Sequence, residues 1–281
     1  MYIMIMDSRT IAENRMGGTI RIDRHDAVEV WTLDLPELRN PISSREMIDA
    51  FERRVHAVNA DGTVRAVIIT GEGTVFSSGG NIRDMANRSG MFSGTPHQLM
   101  DGYRRGIQRI PRALLSCDVP LIAAINGPAI GAGTDLALMC DLRIASTNAS
   151  FAESFVKLGL VAGDGGSWLL PRIIGPARAA ELALTGDRID AATALDWGLV
   201  SRVVEPATLL ADALLLAGRI AANPPLAVRM TKRLLREAMS QSLDQSLELA
   251  AALQSIAHTT SDHESALRAA SERRLGSYAA E

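Results

Sequence analysis

Asp135 is the first residue whose setting suggests chemistry. It lies in the stretch GPAIGAGTDL (Gly127–Leu136), which follows the apolar run VPLIAAIN (Val119–Asn126). A strand, a glycine-rich turn and a helix in that order also describe a phosphate-binding loop. The residues argue against that use. The dinucleotide pattern needs a third glycine where Asp135 and Leu136 stand, and a Walker loop needs Gly-Lys-Ser/Thr where the chain has Gly133-Thr134-Asp135. A carboxylate at a helix start would also repel a phosphate. What the turn does offer is unpaired amides beside the partial positive charge of a helix start. A carbonyl that becomes an oxyanion during reaction gains most from such a site. Asp135 reads either as a first-turn acid favoured by the helix dipole or as a proton acceptor beside that carbonyl.

A second loop, VFSSGGNIRD (Val75–Asp84), likewise follows a strand and presents small residues with free amides. Two such loops converging on one carbonyl would make a two-amide oxyanion hole. Other constellations are weaker. The five histidines, at 25, 56, 97, 258 and 263, are scattered and read as surface or packing residues. No Gly-x-Ser-x-Gly elbow is present, and Ser77 and Ser78 have no adjacent base. Cys117 and Cys140 sit in apolar contexts and read as buried reduced thiols of a cytoplasmic protein. Trp168 reads as lining a pocket or plugging the core.

The elements that must position these loops follow from the patterning. TIRID and AVEVWTL (from Thr19 and Ala27) form a strand pair, 41–58 has helical spacing with Ser43 or Ser44 as cap, and 64–70 is a β-branched strand. Residues 72–97 form a long polar loop, 98–116 a helix, 119–126 a strand before the glycine turn and its helix, and 141–146 a further strand. This alternation predicts an α/β domain with largely parallel strands. After Pro171 the pattern is helical, near 176–185, 190–196, 206–222, 224–239, 242–258 and 260–274, with a short strand at 199–204. The resulting division is a lead-in over 1–18, an α/β core over 19–205 and a helical region over 206–281.

The 281 residues are 47% hydrophobic, 22% charged and 4% aromatic, with a net charge of -3. That composition suits a globular domain with an aliphatic core. It offers no basic footprint for a nucleic-acid partner. No apolar run is long enough to span a bilayer, and the start MYIMIM is too short and too poor in basic residues for a secretion signal.

Taken together, the motifs resemble the crotonase superfamily of enoyl-CoA hydratases and isomerases. FSSGGN (Phe76–Asn81) and NGPAIGAGTDL (Asn126–Leu136) are similar to its paired oxyanion signatures. TGDRIDAATALDWGLVSRVV (from Thr185) is similar to a later family motif, and NPPLAVRMTKR (from Asn223) and DHESALRAASERR (from Asp262) to its C-terminal helices. The resemblance implies a spiral of stacked ββα units with a C-terminal helical trimerisation region, assembled as a homotrimer or a dimer of trimers. It implies an acyl-CoA substrate whose thioester carbonyl lies between the amides of Gly80 and Ala132. Glu37, Leu38, Ser78 and Asn81 would lie along the coenzyme A moiety. No metal or redox cofactor is implied, since coenzyme A arrives as part of the substrate.

The family's hydratases use two glutamates. The first falls on Asp135 and the second on Phe155 in FAESFVKLGL, which cannot transfer a proton. Glu153 and Asp164 are the candidates to compensate. Some isomerases carry an aspartate in the loop GLVAGDGG (Gly159–Gly166), but theirs aligns with Gly163, one residue before Asp164. The resemblance therefore implies hydration of a 2-enoyl-CoA as its commonest activity. The alternatives are isomerisation by Asp135 alone or acyl-CoA binding without catalysis.

Overall fold

The computed structural model describes residues 20–273, together with 276, 278 and 279. The expected lead-in over 1–18, Thr19 and the last residue of the helix expected over 260–274 lie outside the described residues.

Strands β1 (Ile20–His25) and β2 (Val28–Leu33) pair antiparallel, from Ile20 opposite Leu33 to His25 opposite Val28. Helix α1 (Arg45–Ala60) follows, with the Ser44 hydroxyl accepting from the Met47 amide as its N-cap. Strand β3 (Ala66–Gly71) then joins β2 in parallel. The loop expected over 72–97 contains a short helix, α2 (Ile82–Ala86), and a single turn at Gly90–Phe92. The helix expected over 98–116 is two, α3 (Pro96–Arg105) and α4 (Arg109–Leu115). It breaks at Gly106, whose backbone leaves the helical region (φ -109°, ψ -118°). Strand β4 (Leu121–Ile125), β6 (Leu142–Ser146) and β9 (Arg202–Val204) complete a six-stranded sheet in the order β1-β2-β3-β4-β6-β9, parallel beyond its first pair.

A second, three-stranded sheet was not anticipated from the sequence. It joins β5 (Pro128–Ile130), β7 (Ser150–Ala152) and β8 (Arg188–Asp190). Part of the supposed glycine turn is thus a strand, too short for an alternating pattern to announce it. Helix α5 (Ala132–Met139) leaves this strand directly. Helix α6 (Gly166–Ile174) contains Pro171, so the helical half starts before that proline rather than after it. Pro171 lies past the first turn of this helix, so its missing N–H leaves the Ser167 carbonyl without its helical donor, and the helix ends soon after at Ile174. Helices α7 (Pro176–Thr185) and α8 (Ala191–Asp196) flank β8.

The strand runs AVII and LIAAI are buried on both faces, as parallel strands in a covered sheet must be. Val67, Ile69, Leu121, Ala123 and Ile125 face the main core with α1, α4 and α5. Their alternates Ala66, Ile68, Ile122 and Ala124 face Leu209, Ala213 and Ala217 of helix α9 (Leu209–Ala221). Although α9 lies past residue 205, it covers the second face of the sheet. Helices α10 (Pro225–Glu237), α11 (Leu243–Ala257) and α12 (Ser261–Ser271) follow. Asp141 ties α10 to the sheet, pairing with Lys232 Nζ at 2.8 Å and Arg236 Nη2 at 3.0 Å while accepting from the Leu121 amide at 2.7 Å. No helix among the described residues is long and apolar enough to cross a membrane.

Candidate active site

The two glycine loops are hydrogen-bonded to each other. The Ile130 amide donates to the Ser77 carbonyl at 3.0 Å, the Phe76 amide donates to the Pro128 carbonyl at 3.1 Å, and Ser77 bridges Ala129 in parallel. The Ser77 hydroxyl donates to the Asn40 carbonyl and accepts from the Gly79 amide. A third segment runs alongside, with the Ser78 amide on the Arg39 carbonyl (2.9 Å) and the Ile42 amide on the Gly79 carbonyl (2.8 Å). Glu37 and Leu38 form a tight turn just ahead of it, with Leu38 well exposed. Ser78 and residues 37–38 are therefore brought to one edge of the loop.

Gly79 takes φ +77°, and a Cβ there would stand 2.8 Å from the Ala132 amide nitrogen and 2.6 Å from the Ile130 carbonyl. That close approach sets Gly80 beside the start of α5. Among the described residues the flanking amides of Gly79 and Asn81 donate to hydroxyls, while those of Gly80 and Ala132 have no acceptor. Asn81 spends its side-chain oxygen as the N-cap of α2, accepting from the Arg83 amide at 3.0 Å. The Met85 methyl and the Phe92 ring lie over Gly80.

Every residue of α5 is buried, Asp135 included. The Thr134 hydroxyl fastens both short strands to this helix, donating to the Ala129 carbonyl at 2.7 Å and accepting from the Ala152 amide at 3.4 Å. Because β7 pairs in register with β5, Ala152 lies opposite Ile130. The next residue, Glu153, is thereby delivered to Asp135. Glu153 is only 1% exposed, and Asp164, in the loop before α6, is 4% exposed. With both carboxyls ionised, neither Asp135 nor Glu153 finds a donor for either oxygen, and Asp164 Oδ1 finds none, but the Asp135 and Glu153 carboxyls lie within reach of one shared proton. The Gly166 backbone lies so close that a Cβ there would overlap Asp135 Oδ1.

Electrostatics follow from this geometry. Burial, then the charge of Asp164, push Asp135 up to about 7, against smaller opposing effects of Glu153 and the Gly166 backbone. Burial pushes Asp164 up to about 6. Burial, then the charge of Asp135, hold Glu153 well above the usual carboxylate range. No cation contributes to any of the three. Burial and the charge of Asp164 also raise the Tyr103 hydroxyl. Two carboxyls, Asp135 and Asp164, that titrate at about 7 and about 6 beside unpartnered amides are suited to moving protons on a carbon acid.

Sequence comparison supplies the remaining observation. Residues 23–280 match the family described as enoyl-CoA hydratase/isomerase. The chain belongs to the enoyl-CoA hydratase/isomerase family. It is 34% identical over 260 residues to a crotonyl-CoA hydratase from Syntrophomonas wolfei, covering 92% of this chain and 97% of that protein. It is 35% identical over 236 residues to a 1,2-epoxyphenylacetyl-CoA isomerase from Escherichia coli, covering 84% and 88%. Among solved structures, an enoyl-CoA hydratase from Bacillus anthracis superposes with a TM-score of 0.88 at 31% identity, covering 94% of this chain and all of that one. The chain is an enzyme of hydratase/isomerase type with a crotonase-like fold.

Within that family frame, Asp135, Glu153 and Asp164 converge, and the amides of Gly80 and Ala132 open beside them. Glu153, one of the two carboxyls expected to compensate for Phe155, is turned inward by β7 rather than toward solvent. Phe155 lays its ring against Gly131, at 3.6 Å from where a Cβ would be. Trp168 is 41% exposed, with the Arg172 guanidinium 4.1 Å from its ring centre, so it does not plug the core. Sequence reasoning missed Met85, Phe92, Tyr103 and Gln108. Tyr103 packs on Gly163, and Gln108 Nε2 donates to the Gly163 carbonyl at 2.9 Å, holding the loop that carries Asp164. Only the helical periodicity around Tyr103 hinted at any of them.

Proposed function

We propose that the enzyme adds water across the double bond of a 2-enoyl-CoA, with the thioester carbonyl held by the Gly80 and Ala132 amides. The observation that carries this reading is the pairing of Asp135 with a second proton-carrying carboxyl, Asp164, beside two amides that lack acceptors. One carboxylate takes a proton from water as its oxygen bonds C3. The electron pair of the double bond moves to the thioester oxygen, and the amides stabilise the resulting enolate. The other carboxyl, protonated, then delivers its proton to C2 as the carbonyl re-forms. Carboxyl groups whose midpoints lie near 7 and 6 can serve as donor and acceptor at neutral pH. Glu37, Leu38 and Ser78 line the edge where the coenzyme A chain would run, and no cofactor beyond the substrate is needed.

One observation favours a second reading. The Phe155 ring stands on Gly131 where the family's hydratases are expected to hold their second glutamate, and a drier site suits migration of a double bond between two carbons through Asp135. Incubation with 2-enoyl- and 3-enoyl-CoA esters of increasing chain length separates the two. Hydration gives a product heavier by one water with loss of the conjugated thioester absorbance. Migration alone, with no mass change, would replace the first reading by the second.

Assembly as a trimer or dimer of trimers is supported by the apolar faces of the last helices. Leu235, Leu243, Leu247, Ile256 and Leu267 are all more than half exposed, and α11 buries only Leu253. Cytoplasmic residence is supported by the two buried free thiols, Cys117 and Cys140, with burial pushing the latter up to about 12.

A further inference from the structure

Three carboxyls share one buried site with no lysine, arginine or histidine among the described residues to compensate them. Two of them have an evident use in proton transfer, and the third, Glu153, has no equivalent in the two-acid scheme. Its position is fixed by the backbone. It leaves the end of β7, which is locked to β5 and to Thr134, and both its oxygens are sealed from solvent with no donor to meet them, the neighbouring Asp135 carboxyl being the one hydrogen-bonding group in reach among the described residues. Uncompensated ionised carboxylates in one dry pocket repel each other and lose their hydration, so at least one must keep its proton. The groups facing Glu153 are Asp135 from α5 and Asp164 from the loop before α6, with Tyr103 of α3 beyond Asp164.

We infer that Glu153 is a positioning residue that stays protonated through the working pH range and donates its proton as a hydrogen bond to Asp135, fixing the orientation and charge of that carboxyl. This inference rests on the assignment of Asp135 as a proton-transfer group. A protonated glutamic acid has one O–H donor, which the amide of glutamine reproduces in nearly the same shape and leucine does not. No proton leaves Glu153 during turnover, so nothing in the reaction's balance changes.

The test compares Glu153→Gln and Glu153→Leu. The Gln variant is expected to keep kcat at pH 7 within about threefold, because the neutral donor is preserved. The Leu variant is expected to lose about 10- to 100-fold in kcat, as for a hydrogen bond to a charged group, with KM changed far less. Infrared spectra of protein carrying carbon-13 glutamate should show a protonated carboxyl band that persists above pH 7 and is absent from the Gln variant. A Gln variant as poor as the Leu variant would mean that Glu153 itself transfers a proton, and would overturn the inference. So would full activity in the Leu variant, or absence of the infrared band. If the Leu variant fails to fold, the Gln variant and the spectrum still decide. Asp135→Asn serves as the reference: undiminished turnover there removes the functional reading, while the infrared band still reports the protonation of Glu153.

Discussion

Asp135→Asn is expected to lower turnover of a 2-enoyl-CoA by about 10²- to 10⁴-fold, the range for removal of a general acid or base. Binding of the thioester should be nearly unchanged, since the Gly80 and Ala132 amides remain. The same substitution should stabilise the fold at pH 8 relative to pH 5. Asp135 titrates at about 7 in the folded protein against 3.8 ordinarily, and it is fully buried. The unfolded chain thus gives up this proton at lower pH than the native one. The native state is favoured by the bound proton below about pH 4, and that advantage fades as pH rises through 7. Between pH 5 and pH 8 the buried charge costs on the order of 3 kcal/mol, which asparagine avoids. Urea denaturation of both proteins at the two pH values checks this. A variant with normal turnover, or one whose stability relative to the parent does not improve from pH 5 to pH 8, would contradict the assignment.

Gly133→Ala is expected to damage both stability and catalysis without touching any ionisable group. A Cβ at 133 would overlap the Ser77 carbonyl and stand 3.0 Å from the Ser77 side chain. That carbonyl receives the Ile130 amide, and the Ser77 hydroxyl holds the Asn40 carbonyl and the Gly79 amide. Separating the loops should cost about 1–3 kcal/mol, as for overpacking elsewhere. Because Gly80 and Ala132 lie on opposite sides of the joint, kcat should also fall about 10²- to 10³-fold, comparable to loss of one oxyanion donor. Thermal unfolding and steady-state kinetics with an enoyl-CoA measure the two effects. A destabilised variant with unchanged kcat would show that the spacing of the loops is not what aligns the amides.

Much of this arrangement is legible in the chain itself. The β-branched run ending at Gly71 and the apolar run from Val119 declare parallel strands, and Ser44, Asp190, Ser242 and Thr260 mark the helix starts they cap. The pairing of the two glycine loops and the importance of Asp135 also follow from residue types and order. The convergence of Glu153 does not. Its inward direction depends on β7 pairing with β5, and strands of three residues carry no usable alternation. Asp164 was ambiguous for a related reason: an aspartate among glycines is equally a turn former, and only the contacts of Tyr103 and Gln108 with Gly163 set the direction of that loop. The covering role of α9 was hidden because an almost wholly apolar helix looks the same whether it packs on a sheet or on other helices.

The contrast between α5 and the stretch from Ile82 to Arg105 has a consequence for how this protein can diversify. All eight residues of α5 are buried, whereas α2, the following turn and α3 contain no buried residue. Variation within α5 disturbs the packed interior and is purged for stability, so the proton-handling end of the site is frozen. Positions such as Met85 and Phe92 can change at little structural cost while remaining close to the site. A mutant library confined to these positions should retain folded, proton-transferring enzyme in most members and yield altered acyl preference, whereas a library of equal size in α5 should yield mainly unfolded protein.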